Sequence, residues 1–317
     1  MRPASRRRGI ALIAVLWVLV LLALMAANFT RITRTETNLA RNMVENAKAE
    51  ALADAAVHRA VLGLLATDAS TRWSADGTVY RYEFGGGTVR IVIEDESGKI
   101  DLNGGESGHL RGLFLVLGVE DDRATALADA IVDFRDEDDL RQLNGAEDPE
   151  YDAAGLSYGA KDDRFAVVAE LRQVLGMTRD LYDLAAPFLT VYSNRSGVNV
   201  ATAPREVLLA VPGVATSEVE TLLSARDSGD GGGQGTALPI PSASTPTGQG
   251  FFTNSPRVTA PVTVRAEAEL PGGAVFVREA VVQLAAGGAP PFHVLAWRTG
   301  KRRPVAGDEE ALEDEGN

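Results

Sequence analysis

An uncharged apolar run from Ile10 to Ala27, entered through Arg2, Arg6, Arg7, Arg8 and Gly9, constrains this chain more than any other feature. At ~1.5 Å rise per residue, a helix of ~20 apolar residues crosses a bilayer, so the run is long enough to span one. The arginines ahead of it stay on the cytoplasmic side, which carries everything after Asn28 outward. The pattern does not end in a loop. Between Thr33 and Ala66 there is no proline and a single glycine, Gly63, and Leu39, Met43, Ala47, Ala51 and Ala55 recur every four residues. Arg41, Glu45, Lys48, Glu50 and Asp54 fall on other faces. One continuous helix over 10–66 is expected, on the order of 80 Å long, apolar along its first third and amphipathic after it.

Three readings of this beginning stand side by side: a single-pass anchor, a cleaved secretory signal, and a type IV pilin-like leader. A signal's apolar core of ~7–15 residues should end in a small-residue cleavage site, whereas this run is longer and continues as a helix. In Arg6, Arg7, Arg8, Gly9 and the following Ile10-Ala11-Leu12-Ile13, the chain resembles the type IV pilin leader. The resemblance implies cleavage by the prepilin peptidase between Gly9 and Ile10 and methylation of the new amine on Ile10. Pilins mostly carry a glutamate as the fifth mature residue, where it neutralises a neighbour's terminal ammonium. Here Ala14 occupies that place and no acid precedes Glu36. A carboxylate in hydrocarbon is costly unless paired. A subunit lacking it is ill suited to a filament shaft and is tolerated at the tip, where nothing lies above.

Beyond the helix, the 317 residues leave room for more than one domain. Alternation in residues 77–84 and 88–95 around Gly85-Gly86-Gly87 predicts a β-hairpin. A second is expected from residues 257–270 and 274–284 about Pro271-Gly272-Gly273, with a last strand over 292–298. Between them the period turns helical: around Leu110 to Leu117, from Arg123 to Phe134, 166–175, 180–188 and 221–226. Thr202 is the expected N-cap of another helix, with Pro204 in its first turn. Residues 227–250 read as a Gly, Ser and Pro-rich linker, and 301–317 as a charged tail. The expected order is a leader (1–9), the helix (10–66), a sheet begun over 67–103, a helical block over 104–226, the linker, and the sheet completed over 251–300. The fold class is α+β, an all-helical domain inserted between strands of an antiparallel sheet. The sheet is expected to bury Leu39, Met43 and Leu52 of the helix.

A net charge of −13 argues against nucleic acid as partner of the soluble part. The absence of cysteine excludes disulfides, zinc ribbons and thiol nucleophiles. Three histidines, His58, His109 and His293, leave little for a histidine-rich metal site. No hydrolase, zincin or phosphate-loop signature is present, and Asp95, Glu96 and Lys99 read as a turn-stabilising ion pair. The densest acidic stretch, 133–155, holds Asp133, Asp136, Glu137, Asp138, Asp139, Glu147, Asp148, Glu150 and Asp152, with only Arg135 and Arg141 to balance them. Calcium takes ~6–8 oxygen ligands from such loops, and a solvated acidic surface has the same composition. The segment from Val198 to Val214 resembles a helix-hairpin-helix unit, but Ala215 stands where its second glycine is expected. It reads as a structural, sterile-alpha-motif-like unit; the alternative is an envelope-anchored protein that binds or takes up DNA through it.

Taken together, the leader with Ala14, EDESGKIDLN (94–103), IVDFRDEDD (131–139), NGAEDPEY (144–151), ELRQVLGMT (170–178), APFLTVYS (186–193), VNVATAPREVLLAVPG (198–213) and FHVLAWR (292–298) resemble the GspK family, minor pseudopilins of type II secretion systems. That resemblance implies a pilin-like fold with a bulky helical insertion and a place at the pseudopilus tip. The expected partners are minor pseudopilins of the GspI and GspJ kinds, the major pseudopilin, prepilin peptidase and, through Ile10 to Ala27, membrane lipid. The expected location is the inner membrane with the soluble part in the periplasm. It also implies calcium in the helical domain, with Asp136, Asp138, Glu147 and Asp148 as the expected ligands.

Overall fold

The computed structural model describes residues 8–68, 70–227, 238–241, 251–253, 260–285 and 289–302, the side chains of 8–11 and 30–35 excepted. Residues 1–7 of the expected leader, most of the 227–250 region and the tail beyond Arg302 lie outside the described residues. Helix α1 runs unbroken over Arg8–Leu64. Its segment Leu12–Phe29 is apolar, fully exposed and long enough to cross a membrane.

A five-stranded antiparallel sheet packs on the far half of α1. Its strands are β1 (Asp76–Phe84), β2 (Gly87–Asp95), β7 (Pro261–Glu269), β8 (Val275–Leu284) and β9 (Phe292–Thr299), in the order β1-β2-β7-β8-β9. Both hairpins form at the expected glycines; Gly85, Gly86 and Gly273 take the left-handed backbone that tight turns need. β2 and β7 are hydrogen-bonded neighbours, Ile91 opposite Ala266 and Ile93 opposite Val264. Everything between Asp95 and Pro261 is thus an insertion between two paired strands.

The face of α1 turned to the sheet is the expected one at Leu52, which is buried, but not at Leu39 and Met43. Leu39 and Met43 are 58% and 65% exposed, and Ala47 and Ala51 are also exposed. The buried set is Ala49, Leu52, Ala53, Ala56, Val57, Ala60 and Val61, packed on Val89, Ile91, Ile93, Val264, Ala266 and Val282. A strict four-residue repeat drifts ~40° per step around a helix of ~3.6 residues per turn, whereas mixed steps of three and four hold one face. Alanines dominate this face because a helix approaching a sheet closely has room for little else. Arg278 of β8 locks the pair from the side, donating to Asp54 Oδ1 at 2.5 Å and to Glu50 Oε1 at 2.7 Å.

The insertion is a helical block with its own core. It comprises α2 (Ser107–Val116), α3 (Asp121–Arg135), α4 (Asp148–Ala153), α5 (Arg179–Ala185), α6 (Arg205–Leu209) and α7 (Thr216–Asp227). Short parallel pairs stitch it together: β3 (Ile100–Asp101) with β4 (Leu189–Thr190), and β5 (Val198–Asn199) with β6 (Phe252–Thr253). Leu110, Leu113, Phe114, Leu127, Ile131, Phe134 and Tyr151 are fully or almost fully buried at its centre. Gly112 is required where α2 crosses α6, because a Cβ there would overlap the backbone carbonyl of Ala210.

Two local expectations are corrected. The helix expected over 166–175 is a 3-10 turn at Val168–Gln173, because the segment is too short to supply helical bonds to both its ends. The N-cap of α6 is Pro204. Thr202 instead donates its hydroxyl to Asp95 Oδ2 at 3.3 Å. Of the described residues in the 227–250 region, Leu238 and Pro241 are buried, Leu238 in the helical core.

Candidate metal centre

The acidic loop follows α3 and closes onto α4. Asp133, in the last turn of α3, is fully buried, and both its carboxylate oxygens accept the Gln142 amide, at 3.0 and 3.2 Å. Gly145 lies so close to Asp133 that a Cβ there would displace the Asp133 carboxylate. Asp136 caps the helix C-terminus, where a carboxylate is opposed by the dipole. Glu147 is the N-cap of α4 and almost wholly buried, its N–H bonded to Glu150 Oε2 at 3.0 Å. Asp136 Oδ1 and Glu147 Oε1 are buried and have no hydrogen-bond partner among the described residues. Buried acceptors are normally satisfied, so two orphans in one loop ask for a partner.

Electrostatics agree with that reading. Burial, reinforced by Asp133, Asp136, Asp162 and Asp139, pushes Glu147 up to about 7. Burial also raises Asp133, with Asp136 and Asp129 adding to it against the stabilising amides of Gln142 and Ala146. Asp136 is raised by burial and then by Asp138, and Asp162 by desolvation and then by Asp148 and Asp139. The two balancing arginines offset this only in part: the Arg135 charge lowers Asp136 against burial and Asp138. Arg135 donates to the carbonyls of Leu102 and Gly105, and Arg141 stands 3.5 Å from Glu150.

Of the expected ligands, Asp136 and Glu147 therefore share one electrostatic neighbourhood. Asp138 is exposed and uses Oδ1 to accept the Leu140 amide at 2.9 Å. Asp148 is exposed and accepts the Ala160 amide at 3.1 Å. Asp133 and Asp162 enter the group unannounced. Asp162 comes from a separate loop at left-handed backbone (φ 52°), and nothing local in the sequence links it to Glu147. An all-carboxylate donor set fits a hard divalent cation in kind. Among the described residues, however, no three acidic or histidine side chains stand together closely enough to hold a metal ion.

The remaining sequence candidates have other surroundings. The bond between Gly9 and Ile10 lies at the start of α1. The helix-hairpin-helix-like segment is taken up in packing: Val198, Asn199, Val200, Ala203, Val207 and Leu208 are buried, and Arg205 pairs with Glu220 at 2.7 Å. Lys99 is held by Glu96 at 2.6 Å and Glu94 at 3.1 Å, and these carboxylates keep its ammonium above the usual lysine range despite burial. Glu96 does more than stabilise a turn. It also accepts the hydroxyls of Thr190 and of Thr263, the latter at 2.7 Å, so one buried carboxylate ties the helical block to the sheet.

The family model described as "Type II secretion system (T2SS), protein K" matches residues 95–194, the stretch that holds both the junction and the acidic loop. The type II secretion system protein K of Pectobacterium carotovorum subsp. carotovorum is 31% identical over 208 residues, 58% of this chain and 63% of the relative. That of Pseudomonas aeruginosa is 30% identical over 164 residues, 49% of each. The chain thus spans less than two thirds of these two relatives' own length. In fold it is similar to a chain of the GspK-GspI-GspJ complex from enterotoxigenic Escherichia coli, with a TM-score of 0.53 and 20% identity, covering 85% of this chain and 99% of that one. Over the matched stretches the chain is thus similar in sequence to type II secretion system protein K, and its α+β architecture is similar in fold to a chain of the GspK-GspI-GspJ complex.

Proposed function

We propose that this protein is a minor pseudopilin at the tip of a type II secretion pseudopilus, where it initiates assembly and caps the filament during export of folded proteins. The observation that carries this is the bulky helical block inserted between β2 and β7, at the far end of a helix whose first third suits lipid. Such a block would obstruct stacking in a shaft and is accommodated at an end. Ala14, in place of a buried acid, supports the same position.

In this reading the prepilin peptidase cuts between Gly9 and Ile10, and Ile10 is methylated. The helix then leaves the inner membrane by packing against sister helices, of minor pseudopilins of the GspI and GspJ kinds and of the major pseudopilin. The soluble part lies in the periplasm and acts as a structural piece, not as a catalyst. Calcium, with Asp136, Asp138, Glu147 and Asp148 as its ligands, belongs to this reading; it would require these side chains to draw closer together than the described residues place them. The ion would supply the positive charge that these carboxylates lack.

Co-purification tests the assignment. The full-length chain in detergent should retain GspI- and GspJ-type pseudopilins from the same secretion system, and deleting it should stop pseudopilus formation without affecting the stability of the major pseudopilin. Recovery of the chain alone, with normal filaments in the deletion strain, would refute it.

A further inference from the structure

We propose that His109 is a pH-sensitive latch: neutral, it holds strand β6 and the Phe251 before it on the helical block, and on taking up a proton it lets them go. The latch needs neither the calcium reading nor a place in a pseudopilus. His109 lies in α2, is 0% exposed, and is hydrogen-bonded through Nε2 to Val207 O of α6 at 3.1 Å. A carbonyl only accepts, so Nε2 carries the imidazole proton and Nδ1 presents a bare lone pair. That Nδ1 is buried and has no hydrogen-bond partner among the described residues. Phe251, itself buried, meets the imidazole edge to face, with ring centroids 5.6 Å apart. A second proton would put a charge and an unmet donor into this apolar place, and both are costly.

Of the ring's two neighbours, β6 is the one that can yield. Helix α6 is set deep in the block: Val207 and Leu208 are fully buried, and Ala210 meets Gly112 of α2 too closely for a Cβ. Residues 251–253 are held by less. Phe251 O and Thr253 O accept the Val198 and Val200 amides at 2.8 and 2.9 Å, and Arg195 donates to the Thr253 hydroxyl at 3.2 Å. Among the described residues, no charged side chain on the elements packed against the ring is bonded to it. Glu106 and Arg111 of α2, Asp121 and Asp129 of α3, and Arg205 and Glu206 of α6 are all without such a bond, and residues 251–253 carry no charge. Burial therefore sets the titration, pulling His109 down to about 4 against the smaller, opposite pull of Val207 O. Once β6 lifts away, the ring meets water and titrates near ~6.5. The hold is complete above about pH 6.5 and is lost as pH falls through about 4, where opening has become about 300-fold easier.

Hydrogen exchange reads the latch directly, because the Val198 and Val200 amides donate to the carbonyls that would leave with Phe251 and Thr253. The full-length protein in detergent is exchanged between about pH 7 and about pH 4.5, and each rate is divided by that of an unstructured amide at the same pH. Protection in peptides covering 198–200 and 251–253 should fall about tenfold or more toward the acid end, while the β7–β8 ladder keeps its own. His109→Gln, which retains a donor for Val207 O and takes up no proton, should hold the 198–200 protection level across the range. Because the chain has three histidines, carbon-13 NMR can also titrate His109 in the otherwise wild-type protein, its signal assigned by difference from His58→Gln and His293→Gln. Its protonation should coincide with the loss of protection, a readout that survives even if His109→Gln does not fold. Constant protection, an equal loss in folded His109→Gln, or a loss shared by the β7–β8 ladder would each overturn the latch.

Discussion

Thr263 in β7 donates its hydroxyl to the Glu96 carboxylate at 2.7 Å, joining residues 167 apart in sequence across the boundary between sheet and helical block. The bond sits in a buried cluster with Lys99 and Thr190. Buried ion pairs add little net stability when formed, but removing one partner is expensive because the other charge is stranded.

Replacing Glu96 by alanine should therefore destabilise the protein by about 2–4 kcal/mol, near the lower end of the usual cost because Glu94 still faces Lys99. Glu96→Gln, which keeps the shape and one acceptor, should cost less. Denaturant unfolding of both variants beside wild type checks the order; equal stability of all three would show that the cluster is not a structural tie.

The acidic loop makes a pH prediction of unusual sign. Glu147 is raised in the folded protein to about 7, above its value of 4.5 when unfolded. The folded state then binds the proton more tightly, so its contribution is complete below about pH 4.5 and is lost as pH rises toward and through about 7. Metal-free protein should melt several degrees lower at pH 7.5 than at pH 5.5, and calcium should restore the difference at the higher pH while magnesium should not. Glu147→Gln should flatten the pH dependence and remove the calcium effect. A melt that ignores chelator, calcium and pH alike would make the loop a solvated surface.

Gly112 should tolerate no side chain. A Cβ there would run into the backbone carbonyl of Ala210, which cannot swing aside as a side-chain tip would. Gly112→Ala should raise helix propensity by up to ~1 kcal/mol yet destabilise the protein by about 1–3 kcal/mol net. Thermal unfolding would settle the sign: a stabilised variant would mean that α2 and α6 separate readily.

At the other end of the chain, Gly9→Val should leave the leader attached. Intact-mass measurement of protein from a strain containing the prepilin peptidase should show wild type shortened by the leader and carrying one methyl group on Ile10, and the variant at full length. Normal processing of the variant would remove the pilin-type reading of the N-terminus.

Much of this molecule could be read before its structure was known. The apolar run, the unbroken α1 and both hairpins follow from local rules, since a period of two, a glycine at a turn and an absence of proline act within a few residues. The insertion of a helical block into the sheet followed from strand signals on either side of a helical stretch, and the pairing of β2 with β7 bears it out. Leu52 lies on the buried face of α1 as expected, whereas Leu39 and Met43 do not, because a repeat of four marks several faces in turn. Only packing shows that Ala49, Ala53, Ala56 and Ala60 lie underneath.

The acidic loop divides in the same way. Its density of carboxylates is a property of the sequence, and so is its shortage of balancing bases. That Asp162 joins Asp133 and Glu147, that Arg135 donates to Leu102 and Gly105, and that Glu96 reaches Thr263 were decided by tertiary structure alone. Local preference is set by each residue and its near neighbours along the chain. Charge coupling and burial depend on distance in space, which exists only once the chain has folded.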